Sequence, residues 1–358
     1  MDSKNEVSVL HFAHWGGSGI TSLIKDFVEM GNASVVLLKP YERFYVDFSQ
    51  AVDKVQVNFS LRRSLTCLLT LLFFYKRVNP KIVHAHSLVP LLISALFFYR
   101  SKLVFHIHNE YPYFEGRSLR YLLKRLALRV VFKIRAISVV SVSTKGGELV
   151  KQITKSNYTL ILNGIEDSGS SRAPFLLEPD QFRFFSMCRL EQSKNLVYAI
   201  RLIAELKAIS GFDVQYSIYG EGPQKDQLTD LVNSLGAGGF IFFEGFTNTP
   251  DEVNCGFDYY LSTSFHEGFG LSILNAFRGG NLVFMSQTGE LVNHAEDGFH
   301  CFYLRGNLDL DVERVGRVMR LDVKEKTAVQ DNAKILFKSR FRKKQMTNNL
   351  RSYYENLI

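Results

Sequence analysis

Short, uninterrupted apolar runs alternate with helix-length mixed patterns along almost the whole chain. In the first half the runs cover residues 7–12, 35–38, 81–85, 103–107, 137–142 and 159–162. In the second half they cover 182–187, 214–219, 240–243, 259–262 and 282–285. A strand that is apolar at every position is covered on both faces, and a helix between successive strands lets them run parallel. Two such series predict an α/β chain of two Rossmann-like, doubly wound domains. Between the series, Gly164, Asp167, Ser168, Gly169, Ser170, Ser171, Pro174 and Pro179 give a turn-rich composition over 163–180. The expected division is 1–165, a linker over 166–180, a second domain over 181–340 and a final helix over 341–358. Residues 324–358 read as two helices. No internal repeat and no low-complexity tract interrupts the pattern.

Composition narrows the picture. A length of 358 residues suits two domains, and 46% apolar with 22% charged residues is globular rather than disordered. The longest apolar runs, 65–75 and 88–99, fall short of the ~18 residues that span a bilayer. The first six residues show no signal-peptide pattern, so a cytoplasmic chain is expected, one able to lie on a membrane without crossing it. A net charge of +8 fits nucleic acid, an anionic membrane surface or a phosphorylated substrate. Cys67, Cys188, Cys255 and Cys301 show no metal-ligand spacing and read as reduced core thiols.

Ligands of doubly wound domains sit beyond the carboxyl ends of the strands, so the residues just after each run matter most. After 259–262 comes a glycine-rich turn with Glu267, Gly268, Phe269, Gly270 and Leu271, leading into an apolar helix that closes on Gly279 and Gly280. A helix start carries partial positive charge and unpaired N–H donors, and it suits a phosphate. A carboxylate beside such a cradle points to a phosphate ester that also bears hydroxyls, such as a nucleotide sugar. After 182–187 stand Arg189 and Lys194. Together they can neutralise a diphosphate, the arginine as a fork and the lysine as a point charge. Taken alone they read equally well as solvated charges. Gly220, Glu221, Gly222 and Pro223 form another strand-to-helix turn. Asp309 and Asp311 make a D-x-D pair ahead of a late helix and read as structural, a cap rather than a metal site.

In the first half, Gly16, Gly17, Ser18 and Gly19 follow the first run and allow close approach of a phosphate or sugar, although no G-x-G-x-x-G is present. His84 and His86, and His106 and His108, lie at strand ends. No known ligand spacing links them, so they read as core or strand-end histidines and no metal is expected. His108, before Asn109, is the best placed to reach a ligand. Residues 117–135 form the clearest helix. Leu119, Leu122, Leu123, Leu126, Val130, Val131 and Ile134 make one stripe, with Leu128 and Phe132 off it. Arg117, Arg120, Lys124, Arg125, Arg129, Lys133 and Arg135 add positive charge with no acid among them. Such a helix can rest on an anionic bilayer or pack on its own sheet. Nucleic acid is not expected, since no basic platform interleaved with aromatics is present.

In this order the motifs resemble glycosyltransferase family 4, the glycosyl transferases group 1, whose members are retaining enzymes with the GT-B fold. The resemblance runs through Gly16–Gly19, His84 and His86, His108 with Asn109, Ser141 and Ser143. It continues with Asn163, Gly164 and Ile165, then Arg189 with Lys194, Gly220 to Pro223, Glu267 to Gly270, Gly279 with Gly280, and Glu296, Asp297 and Gly298. It implies two Rossmann-like domains facing a central cleft, the first binding acceptor and the second binding donor, with the last helix crossing back. Arg189 and Lys194 would hold the donor diphosphate, Glu267 would accept hydrogen bonds from sugar hydroxyls, and His108 would contact the sugar near the reacting centre. Gly17, Gly220, Gly222, Gly268, Phe269, Gly270, Leu271 and Asn275 would line the donor, while Gly16, Ser18 and Asn109 would face the acceptor.

The resemblance implies no metal and no other cofactor. It implies a nucleoside diphosphate sugar, UDP-linked, as donor and a lipid-linked saccharide as acceptor. The setting would be bacterial polysaccharide synthesis at the inner face of the cytoplasmic membrane, with Arg117, Arg120, Lys124, Arg125 and Arg129 against the lipid. One position departs from the family. Eight residues after Glu267, where a second glutamate usually binds the ribose hydroxyls, this chain has Asn275. An amide offers one acceptor and one donor, so part of a charge-assisted grip of about 1–2 kcal/mol is lost. Two other readings keep the fold: a nucleotide-sugar epimerase or phosphorylase, and a non-catalytic sugar-nucleotide-binding or scaffold protein.

Overall fold

The computed structural model describes residues 7–15, 19–39, 51, 53–56, 64–108, 118–168 and 181–358. The chain forms two compact units, Met1–Asn163 with Lys343–Ile358, and Gly164–Arg342. The first unit contains β1 (Val9–Trp15), α1 (Gly19–Val28), β2 (Ala33–Lys39), β3 (Lys54–Gln56), α2 (Ser64–Val78) and β4 (Ile82–Ala85). It continues with α3 (Leu88–Phe97), β5 (Lys102–Ile107), α4 (Leu119–Ile134), β6 (Ile137–Ser141), α5 (Thr144–Thr154) and β7 (Tyr158–Leu160). The second contains β8 (Gln181–Met187), α6 (Leu196–Ser210), β9 (Asp213–Tyr219), α7 (Lys225–Ser234), β10 (Ile241–Gly245) and α8 (Pro250–Gly256). After these come β11 (Tyr259–Ser262), α9 (Leu271–Gly279), β12 (Leu282–Ser286), β13 (Phe302–Leu304), α10 (Leu308–Met319) and α11 (Val323–Arg340). The last helix, α12 (Lys343–Leu357), belongs to the first unit.

Both sheets are parallel. Their strand orders are β3-β2-β1-β4-β5-β6-β7 and β10-β9-β8-β11-β12-β13. Each order reverses once, between β1 and β4 in the first sheet and between β8 and β11 in the second. At such a reversal the flanking helices leave on opposite faces and open a crevice. The central strands are mostly apolar because both faces are covered: Leu10, Phe12, Val83 and Val104 are buried in the first sheet, and Phe184, Phe185, Leu261 and Phe284 in the second. All eleven apolar runs of the sequence coincide with strands. The strands β3 and β13, of three residues each, lie outside those runs.

Three local findings refine the sequence picture. The helix over 119–134 forms, but six of the seven residues of its apolar stripe face outward: their exposure runs from 49% at Val130 to 70% at Leu119, whereas Val131 of the stripe is buried together with Leu128. With α3 it borders an apolar groove of about 370 Å³ lined by Leu92, Leu96, Leu123, Leu126, Val130 and Ile134. Asp311 is fully buried and accepts from the backbone N–H of Arg305 and Gly306 and from the Tyr198 hydroxyl, a structural role. Cys255 is exposed rather than a core thiol, whereas Cys67 and Cys301 are buried. Among the described residues no helix is long and apolar enough to cross a membrane.

Candidate functional site

The reversal between β8 and β11 brings two strand exits together. After β8 the chain passes Cys188, Arg189 and Leu190, makes a 3-10 turn over Gln192–Lys194, and enters α6 through Asn195 in the left-handed conformation (φ 50°, ψ 42°). The segment after β11 is tied to this turn. The Phe265 N–H donates to the Ser193 carbonyl at 2.8 Å, and the Thr263 hydroxyl donates to the carbonyls of Lys194 and Asn195 at 3.1 and 3.0 Å.

These ties carry Lys194 to Glu267. The ammonium donates to Glu267 Oε1 at 2.6 Å, and the Ser264 hydroxyl donates to the same oxygen at 2.7 Å. The two side chains are 19% and 12% exposed. Burial disfavours the lysine's charge, but the Glu267 carboxylate outweighs it and holds the Lys194 pKa above its ordinary value. Gly289 (φ +80°) completes the enclosure, since a Cβ there would lie 2.8 Å from Glu267 Cβ. Cys188, beside them, is a neutral thiol whose pKa burial pushes up to about 12.

Glu267 leads directly to the start of α9. Gly270, at φ +93°, is its N-cap residue; no side chain caps the end, and no acid stands in the first turn. Leu271, Ser272 and Asn275 form the partly exposed face, while Ile273, Leu274, Ala276 and Phe277 are buried. The partial positive charge of this end is therefore offered to a ligand. Phe269 is buried and meets Phe341 edge-on at 5.7 Å. Arg189 is 66% exposed with only a 3.7 Å ion pair to Glu191, so it can swing to an incoming anion. Gly220 and Gly222 act through packing: a Cβ would come 1.9 Å from the Cys188 carbonyl oxygen and 2.3 Å from that of Leu190. They let the turn after β9 lie against the backbone that carries Arg189.

In the first unit, His108 follows β5, with Nε2 2.8 Å from His86 Nδ1. Burial lowers its pKa to about 3, so it is neutral near pH 7 and works as a hydrogen-bonding group rather than a cation. Arg120, Lys124, Arg125 and Arg129 lie along α4. Gly16, Gly17, Ser18, Asn109 and Arg117 lie outside the described residues. Sequence reasoning missed Thr263 and Gly289, whose roles depend on which loops become neighbours. It also missed that His11 joins the other four strand histidines, although period-two spacing already put His84 with His86 and His106 with His108 on one face.

An arginine, a paired lysine and carboxylate, and an uncapped helix start thus share one end of a parallel sheet. That set can hold a diphosphate while a carboxylate reads hydroxyls. Residues 16–168 match the family described as Glycosyltransferase Family 4, and residues 167–308 match Glycosyl transferases group 1. The O-antigen biosynthesis glycosyltransferase WclY of Escherichia coli is 22% identical over 295 residues, covering 77% of this chain and 79% of that one. The GtfA subunit of the UDP-N-acetylglucosamine–peptide N-acetylglucosaminyltransferase of Streptococcus parasanguinis is 38% identical over 68 residues. That match spans 19% of this chain and 13% of the relative's length. Among solved structures, Anabaena Alr3699/HepE in complex with UDP and glucose shares the fold, with a TM-score of 0.82, 17% identity, and 98% of this chain and 100% of that one covered. The two family matches meet where the two sheets meet in sequence, and the chain belongs to glycosyltransferase family 4, the glycosyl transferases group 1, with the GT-B fold.

Proposed function

We propose that the chain is a retaining glycosyltransferase of bacterial polysaccharide biosynthesis that moves a sugar from a UDP-sugar to a lipid-linked saccharide, with no metal in the donor chemistry. The observation that carries this reading is the Lys194–Glu267 pair set against the uncapped start of α9. Lys194 and the helix end, joined by Arg189 as it swings in, supply positive charge where a leaving diphosphate gathers negative charge, the work that a metal does elsewhere. Glu267, held by Lys194 and Ser264, keeps acceptor capacity for sugar hydroxyls. Because Lys194 already engages Glu267, the carboxylate is a poor nucleophile, which favours front-face transfer. In that route the acceptor oxygen bonds the anomeric carbon as the bond to phosphate breaks, and the departing phosphate oxygen takes the acceptor's proton. The UDP and glucose bound by the HepE neighbour support a uridine donor, and the O-antigen role of WclY supports the polysaccharide setting.

The outward stripe of α4, its apolar groove and its basic residues support an anionic lipid surface as partner. Calorimetric titration with UDP, GDP, ADP and CMP, without added metal, tests the donor site. Selective binding of UDP that is lost in Arg189→Ala is the expected result, and no binding of any nucleotide sinks the proposal. Binding without turnover in any acceptor mixture instead favours a non-catalytic protein, the reading that Asn275 brings forward.

A further inference from the structure

Five histidines of the first unit converge on one face of its sheet. His11 lies on β1, His84 on β4 and His106 on β5, while His86 and His108 immediately follow β4 and β5. Side chains two apart on a strand share a face, and the register sets His11 beside His84. The rings stack: centroids are 4.5 Å apart for His84 and His86, 5.3 Å for His11 and His84, and 4.0 Å for His106 and His108. Phe27 of α1 covers them, 5.6 Å from His11 and 6.0 Å from His106, and Tyr354 of α12 meets His84 edge-on at 5.7 Å.

A packed core does not account for this cluster. His11, His84, His86 and His106 are at most 4% exposed. Yet His84 Nε2, both nitrogens of His106 and His108 Nδ1 are buried without a hydrogen-bond partner. Each such atom costs about 1–3 kcal/mol. One nitrogen from each of His11, His84 and His86 lies within 4.8 Å of the others. Nitrogens at that spacing can reach the ~2.0–2.1 Å bond length of zinc once the His84 ring turns out of its 4° stack on His86, so that the in-plane lone pairs converge.

We propose that His11 Nδ1, His84 Nε2 and His86 Nε2 bind one late first-row divalent metal ion, with Zn²⁺ as the reference case. The protons assort consistently around it. His84 Nδ1 contacts the Tyr354 hydroxyl, and His86 Nδ1 lies 2.8 Å from His108 Nε2. With their protons on Nδ1, His84 donates to Tyr354 and His86 donates to His108, and both Nε2 lone pairs turn to the ion. His11 Nδ1, 3.0 Å from His86 Nε2, supplies the third lone pair. Without an ion those two atoms must share one proton, and His84 Nε2 stays bare. Tyr354 and His108 are the outer partners that orient ligand rings. Three protein ligands leave the fourth position to a non-protein ligand. Enclosed between the sheet, α1 and α12, the ion is structural: it ties β1 to β4 and, through Tyr354, to the last helix. The site does not rest on the donor chemistry proposed above.

The test uses untagged, chelator-stripped full chain titrated with Co²⁺ and then Zn²⁺, reading cobalt d–d absorption, metal per chain and melting temperature. One Co²⁺ per chain with a tetrahedral spectrum, displaced by Zn²⁺ and raising the melting temperature, is the expected result. His84→Asn keeps an N–H for Tyr354 but removes Nε2, and should abolish stoichiometric binding. Tyr354→Phe keeps the ring and should weaken binding ~10–100-fold. Cys255→Ser, at the exposed thiol, should change nothing. A wild type that binds no stoichiometric ion overturns the proposal, as does binding of wild-type strength in both His84→Asn and Tyr354→Phe. Should His84→Asn fail to fold, Tyr354→Phe decides.

Discussion

Lys194 and Glu267 stand 73 positions apart in sequence and 2.6 Å apart in space. Truncating one leaves the other partly buried and unpaired, so the two losses should not add. In denaturant unfolding, a double-mutant cycle of Lys194→Ala and Glu267→Ala should show a coupling of about 2 kcal/mol; additive losses would deny the pair any stabilising role. Transfer by Glu267→Ala should fall ~100-fold or more, and undiminished turnover would remove this residue from the mechanism. Asn275, on the partly exposed face of α9, carries a prediction of opposite sign. Asn275→Glu restores a carboxylate for ribose hydroxyls and should tighten UDP binding about tenfold in calorimetry, whereas unchanged affinity would mean the nucleotide is gripped elsewhere. At this scale the sequence reveals residue types but not partners. Arg189, Lys194 and Glu267 are legible because charges just after apolar strands are conspicuous. That Lys194 joins Ser264 on one carboxylate oxygen depends on β8 lying on one side of β11, and that Gly289 gives Glu267 its room depends on β12 lying on the other.

The turn between β9 and α7 shows how one element holds another. Gly220→Ala and Gly222→Ala each drive a methyl into the backbone of the turn after β8, and at Gly220 (φ +139°) the conformation itself resists a side chain. Each should cost about 2 kcal/mol or more in chemical denaturation, with nucleotide affinity falling as the Arg189 turn is displaced; full stability in either variant would contradict this packing. The helix α4 is the other informative element. Period-3.6 spacing correctly marks it as amphipathic, and the usual inference that its apolar stripe faces the core fails. Leu128 and Val131 make the core contact, and Leu122, Leu123 and Leu126 point outward. Periodicity records which residues share a face, not which neighbour that face meets. Neutralising Arg120, Lys124 and Arg129 to Gln should weaken binding to anionic vesicles by about 1 kcal/mol per charge, with a shallower salt dependence. Sedimentation unchanged by the substitutions would remove the membrane from the proposal.

For the whole molecule, acid is the revealing variable. Burial, reinforced by the neighbouring imidazoles, holds the pKa values of His84, His86 and His106 well below 6.5 and that of His11 near 3; burial alone does the same for His108. Unfolded imidazoles take up protons below 6.5 that the folded ones refuse, so stability is complete above that pH and declines as pH falls toward 3. Each group contributes a slope of about 1.4 kcal/mol per pH unit in that window. Denaturant midpoints of chelator-treated protein should drop steeply between about pH 7 and about pH 5. A flat profile would show that the cluster is hydrated and protonated. Two parallel sheets are legible in the sequence because their strands are continuous apolar runs. The histidine stack is not, since it needs the order β1-β4-β5, which spacing alone does not supply. The path of the chain between the two units carries a further consequence, for synthesis. The second unit, Gly164–Arg342, interrupts the first, whose last helix begins only at Lys343. On the ribosome the first sheet emerges early and then waits while the whole second unit is made, on the order of ten to forty seconds at about 5–20 residues per second. During that interval His84 has no Tyr354 to meet, and the face that α12 will cover stands open to chaperones. Folding therefore finishes in reverse of the order of synthesis: the unit made second can close first, and the unit begun first must wait for the final helix.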